Sequence, residues 1–145
     1  MTNQIEILLV EDNPNDIELT QRALKKQNLA NRLVIVQDGA EALDLLFARG
    51  RYEGRKIEDT PRVVLLDLKL PKVDGIEVLK ALRGDDRTKK IPIVVLTSSS
   101  DERDVVETYK LGVNSYIVKP VNFEKFAEVI RELGYYWLLL NHPPS

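Results

Sequence analysis

The chain contains no cysteine. Disulfides and thiolate chemistry are therefore excluded. Histidine occurs once, at His142, in a stretch that ends Asn141-His142-Pro143-Pro144-Ser145. No catalytic or phosphocarrier role is expected there, because terminal tails are rarely preorganised. An excess of one charge is also missing: 21 Lys and Arg face 23 Asp and Glu, for a net charge of −2. No basic block stands out, so nucleic-acid binding has no electrostatic support. No apolar run is long enough to cross a bilayer. Met1-Thr2-Asn3-Gln4 has neither the basic region nor the apolar run of a signal peptide. The expected location is the cytoplasm.

What is present is a single domain's worth of chain. At 145 residues, 43% hydrophobic and 30% charged, it can bury a core and stay soluble. Its centre is Val63-Val64-Leu65-Leu66-Asp67-Leu68-Lys69-Leu70-Pro71. Four apolar residues in a row, two of them β-branched, read as a strand buried on both faces. The run stops at Asp67, and Pro71 and Asp74-Gly75 then read as a loop. Asp67 is thus expected at the carboxyl end of a central parallel strand, where open α/β sheets bind ligands.

The rest of the chain repeats the pattern. Residues 5–10 read as a strand ending at Glu11-Asp12. Asn13 and Pro14 suit the start of a helix running to about Gln27, with Ile17, Ala23 and Leu24 inward. Residues 33–36 form a second strand, and Asp38 with Glu41 has the spacing of a capping box. Leu43, Leu46 and Phe47 mark the helix behind it, which ends near Gly50. Residues 49–61 are charged and irregular, and read as a long surface loop holding a tolerated insertion. Ile76, Leu79 and Leu82 mark a third helix, from Gly75 to Arg83, stopped at Gly84-Asp85-Asp86. Residues 91–96 form a fourth strand, running into Thr97-Ser98-Ser99-Ser100. A fourth helix runs from near Asp101 to Gly112, and residues 115–118 form a fifth strand ending at Lys119-Pro120. Asn122 can cap a fifth helix carrying Phe123, Phe126, Val129, Ile130 and Leu133. Strands alternating with helices predict a parallel sheet covered on both faces, with right-handed crossovers. The stretch from Tyr135 to Ser145 is too short for a second domain.

Four strands thus end in reactive side chains: Glu11-Asp12, Asp67, Thr97 and Lys119. A parallel sheet brings all four tips to one edge. Crowded acids repel, by roughly 3 kcal/mol for two unit charges about 5 Å apart at an effective dielectric near 20. A retained proton or a cation must offset this. Hard carboxylate oxygens with room for water suit Mg²⁺. Asp67, ionised at neutral pH, needs no general base to attack phosphorus. Lys119 then supplies a positive charge to the product, and Thr97 a hydrogen bond. Tyr116, three residues before Lys119, can follow the Thr97 hydroxyl when it moves, as a two-state packing switch. Each residue also has a plainer reading: helix capping for Glu11 and Asp12, a strand residue for Thr97, a surface lysine for Lys119, and a half-buried sheet aromatic for Tyr116.

Together these residues resemble a two-component response regulator receiver domain, over residues 5–134. Glu11-Asp12 matches the acidic pair, Asp67 the phosphoacceptor, Thr97 the hydroxyl, Tyr116 the switch aromatic and Lys119-Pro120 the lysine–proline pair. The resemblance implies a flavodoxin-like (CheY-like) α/β fold, doubly wound, with a five-stranded parallel sheet in the order 2-1-3-4-5. It implies Mg²⁺ held by Asp12, Asp67 and the backbone carbonyl of Lys69, with Glu11 acting through metal-bound water. It also implies a cis peptide before Pro120 and a sensor histidine kinase as phosphoryl donor. In that reading the chain is no enzyme toward other molecules. It catalyses its own phosphorylation and dephosphorylation, and passes the signal to an unidentified downstream protein.

The motif 10–14, the loop near Arg55 and the tail 136–141 look most like single-domain regulators paired with bacterial and cyanobacterial phytochromes. The Trp137-Leu138-Leu139-Leu140 run, with Tyr136, suggests self-association as a homodimer through Tyr136, Trp137 and Leu139. Two other functions compete. A phosphohydrolase with an aspartate nucleophile needs a second acid two residues on, where this chain has Lys69. A receiver-like binding module without phosphorylation does not need the acid, hydroxyl and lysine set that is present.

Lys69 and the small Ser99 flank the path by which water would reach an acyl phosphate on Asp67. Lys69 is expected to alter the phosphoryl lifetime. The dephosphorylation rate of Asp67 should differ between the wild type and Lys69→Asn, and equal rates would remove the idea.

Overall fold

The computed structural model describes residues 7–26, 33–97, 108–119, 124 and 128–129. The strands are β1 (Ile7–Val10), β2 (Leu33–Val36), β3 (Val63–Asp67), β4 (Ile93–Thr97) and β5 (Ser115–Val118). The helices with described ends are α1 (Pro14–Lys26), α2 (Gly39–Leu46) and α3 (Gly75–Arg83). All strand pairs are parallel, in the order β2-β1-β3-β4-β5.

Sequence pattern and position in the sheet agree. Every residue of β1 and β3 is buried, as a strand covered on both faces requires. The edge strands β2 and β5 are more open. Alternate residues face opposite sides. Leu8, Val10, Val64, Leu66, Ile93 and Val95 pack with α2 and α3. Ile7, Leu9, Val63, Leu65, Val94, Leu96 and Ile117 pack with Ala23 and Leu24 of α1, and with Val129. Helices thus cover both faces, as expected.

The helix starts follow the predicted chemistry. The Asn13 side chain accepts hydrogen bonds from the backbone N–H of Asn15 and Asp16. Asp38 accepts from the N–H of Glu41 at 2.7 Å. Asp74, the last residue before α3, caps that helix, accepting from the N–H of Glu77 at 2.9 Å. Gly75 is then the first helical residue. A Cβ there would lie 2.5 Å from the Leu68 Cα, so only glycine lets α3 start so close to the end of β3.

Two expectations are refined. The core face of α3 includes Val78 with Leu79 and Leu82, whereas Ile76 is only partly buried. The segment 49–61 lies largely at the surface, as expected, but it is anchored to the core. It opens with a 3₁₀ turn, Gly50–Tyr52, whose Tyr52 ring packs against the core. The Tyr52 hydroxyl donates to Glu41 Oε2 at 2.7 Å. A single aromatic with a polar tip anchors the segment, which a reading for charge and glycine overlooks.

The fourth helix shows its last turn, with residues 108–110 helical and Gly112 at φ +75°. The start of that helix, the Asn122 cap and most of the fifth helix lie outside the described residues. So do Pro120, Ser99, Tyr136, Trp137, Leu139 and His142.

Arg83, at the end of α3, joins elements far apart in sequence. Its guanidinium donates to the carbonyls of Leu111 and Gly112, before β5, and of Lys89 and Ile91, before β4. Removing it strands several carbonyls at once. Arg83→Ala should cost about 2–4 kcal/mol of stability in chemical denaturation. Arg83→Lys should recover less than half of that, because an ammonium lacks the fork.

Candidate functional site at the carboxyl edge of the sheet

The strand order places a switch point between β1 and β3. The chain leaves β1 toward β2 on one side and returns to β3 on the other. A crevice opens beyond the carboxyl ends of such strands. Glu11-Asp12 follows β1, and Asp67 closes β3. Thr97 closes β4, paired in register with Val118 of β5, and Lys119 follows directly. All four tips therefore share one edge.

The pleat decides which side chains meet. Counting alternately from the core, Glu11, Asp67 and Lys119 all continue the side that packs under α1. Lys119 Nζ lies 2.6 Å from Glu11 Oε1 and 3.2 Å from Asp67 Oδ2. Ligand atoms of Glu11, Asp12 and Asp67 lie within 4.8 Å of one another. Asp12 is exposed, whereas Glu11 and Asp67 are buried. The buried acids and the lysine form the floor, and Asp12 forms the rim. An open cleft of about 430 Å³ adjoins that rim, lined in part by Asp12, Lys69 and Asp74.

Backbone groups hold the acids in place. Glu11 Oε2 accepts from the N–H of Asp12 at 3.1 Å and of Asn13 at 3.2 Å. Asp67 Oδ1 accepts from the N–H of Lys69 at 3.2 Å. The Lys69 side chain points to exposed surface, while its backbone borders the site.

The electrostatics follow from burial. Glu11 is pushed up to about 7, chiefly by loss of water, with Lys119 lowering it and nearby Asp67 raising it. Burial alone would lower the Lys119 pKa. Hydrogen bonds to Asp16 and Glu11, and the charge of Asp67, outweigh it and hold the ammonium above the usual lysine range. The cation is therefore permanent at any physiological pH.

Tyr116 is half-buried on β5, opposite Val95, and packs on the α2–α3 side of the sheet. It lies one face away from the Asp67–Lys119 pair. The Thr97 side chain lies outside the described residues.

The sequence reading missed Asp16. Its Oδ2 lies 2.9 Å from Lys119 Nζ. An acid in the first turn of a helix is usual without any site, because it complements the helix dipole. Only the fold carries it to Lys119, 103 residues away.

The chain's relatives bear on this site. A family model described as "Response regulator receiver domain" matches residues 7–131. The chain is 43% identical over 139 residues to the probable methanogenesis regulatory protein FilR2 of Methanothrix harundinacea, covering 96% of this chain and 87% of FilR2. Among solved structures, the bacteriophytochrome response regulator RtBRR is 51% identical, with a TM-score of 0.82, over 98% of this chain and 85% of that one. The phosphorylated cyanobacterial phytochrome response regulator RcpA is 39% identical, with a TM-score of 0.78, over 98% and 99%. Family model, relatives and edge geometry agree: this chain belongs to the response regulator receiver domain family.

Proposed function

We propose that the chain is a single-domain response regulator of a two-component phosphorelay, with Asp67 as phosphoacceptor. The observation that carries the reading is the placing of Asp67 Oδ2 3.2 Å from the Lys119 ammonium, beside two further acids at a switch point. A carboxylate oxygen of Asp67 attacks phosphorus. The phosphorus–nitrogen bond to the imidazole of a histidine kinase breaks, and the imidazole keeps the electron pair. Lys119 faces the developing phosphoryl charge, and the Thr97 hydroxyl donates to a phosphoryl oxygen. Thr97 and Tyr116 then form the switch.

The acid cluster fits a hard divalent cation. Three carboxylate oxygens converge, two from buried acids, and one ammonium does not neutralise them. Asp12, Asp67 and the Lys69 carbonyl would hold Mg²⁺, with Glu11 acting through bound water. When bound, the ion neutralises charge on the transferring group.

Residues 1–145 then act as one receiver, with a core over about 5–134. The kinase is read as a phytochrome, on the likeness to RtBRR and RcpA. The output is protein contact with a downstream partner, in the cytoplasm. The chain turns over only its own phosphoryl group, and it pairs as a homodimer through Tyr136, Trp137 and Leu139. A cis peptide before Pro120 belongs to the same reading.

Incubation with Mg²⁺ and acetyl phosphate, read by intact mass, should add one phosphoryl group to the wild type and none to Asp67→Asn. Lys119→Ala should slow the reaction about ten- to a hundredfold, as loss of one charge-assisted hydrogen bond would. Asp12→Asn should need more Mg²⁺ for half-maximal labelling. In sedimentation, a chain ending at Gly134 should run as a monomer where the full chain is dimeric, and an unchanged state would remove the tail from the interface.

A further inference from the structure

A lysine ammonium has three donor hydrogens. Here three carboxylates surround it: Glu11 at 2.6 Å, Asp16 at 2.9 Å and Asp67 at 3.2 Å. The longest of these contacts is the one to Asp67. The amine that serves the phosphoacceptor is therefore held chiefly by other acids.

These acids are not equivalent. Glu11 is fully buried and tied to two backbone N–H groups. Asp67 is nearly as buried. Asp16 belongs to α1, its side chain is 18% exposed, and water can solvate it if the amine leaves. Through the shared nitrogen, its Oδ2 lies within about 6 Å of Asp67 Oδ2.

We propose that Asp16 is a positioning residue that opposes phosphorylation. It draws Lys119 toward α1 in the resting chain, and its charge repels the group added to Asp67. This inference deepens the phosphoacceptor reading and rests on it. Esterifying the carboxylate replaces one negative charge by about two, as the phosphorus–oxygen bond forms and the donor's bond to phosphorus breaks. We take that oxygen-to-oxygen bound of about 6 Å as the scale of the separation between the added unit charge and Asp16. That repulsion weakens the adduct by about threefold at the dielectric of water, and by about a hundredfold at an effective dielectric of 20. Asp16 thus sets how far the unphosphorylated chain leans toward its resting state, and it couples Lys119 to the first turn of α1.

The test is an equilibrium titration of the full chain with beryllofluoride, a tetrahedral phosphoryl mimic, at saturating Mg²⁺, read by calorimetry. Asp16→Asn and Asp16→Ala should bind it more tightly than wild type, by about three- to a hundredfold. Asp16→Glu, which restores the charge, should return close to wild type. High salt should narrow the gap. A merely structural role predicts weaker binding in both neutral variants, and equal or weaker binding there overturns the proposal. Wild type that binds no better than Asp67→Asn would overturn the phosphoacceptor reading, and this inference with it.

Discussion

The structure depends on one cation set among acids. Lys119 is largely buried, and nothing but charge complementarity justifies an ammonium there. Glu11, Asp16 and Asp67 supply it from three separate elements: the end of β1, the first turn of α1 and the end of β3. Each acid alone would be costly to bury, and the lysine alone would be more so. Together they make a polar centre at the edge of an otherwise aliphatic sheet.

That centre sits where it does because of topology and pleat. The order β2-β1-β3-β4-β5 opens the crevice between β1 and β3. Alternation along each strand then sends Glu11, Asp67 and Lys119 to the side under α1. A shift of one residue in any of these strands would turn its functional side chain to the other face. The long aliphatic runs that precede the tips therefore do more than fill the core. Their register, Val10 beside Leu66 and Asp67 beside Leu96, holds the chemistry in phase.

The surroundings keep the edge in shape without touching it. Gly75 lets α3 begin against the turn after Asp67. Arg83 pins the far end of α3 to the segments entering β4 and β5. Tyr52 closes the segment after α2 over the same core that supports Tyr116. The site is thus supported by rigid elements on the α2–α3 side. On the α1 side it meets a helix through Asp16, the most water-accessible of the three acids around Lys119.

The fold was largely legible in the chain because its signals are local. Aliphatic runs of strand length, caps at Asn13 and Asp38, and helical spacing of leucines each report on a few neighbouring residues. The parallel sheet followed from alternation of the two kinds of element, and the shared edge for Glu11, Asp12, Asp67 and Lys119 followed from the parallel sheet. What failed were judgements that need a distant partner. Asp16 is not singled out at all by the sequence, and Tyr52 reads only as part of an irregular surface segment. By itself the sequence determined the elements, their alternation and the residue types at the strand tips, since these depend on steric preference and hydrophobic period. Only the tertiary structure decided which acids share the single amine, because a contact spanning 103 residues is set by strand order and pleat, and no local pattern records it.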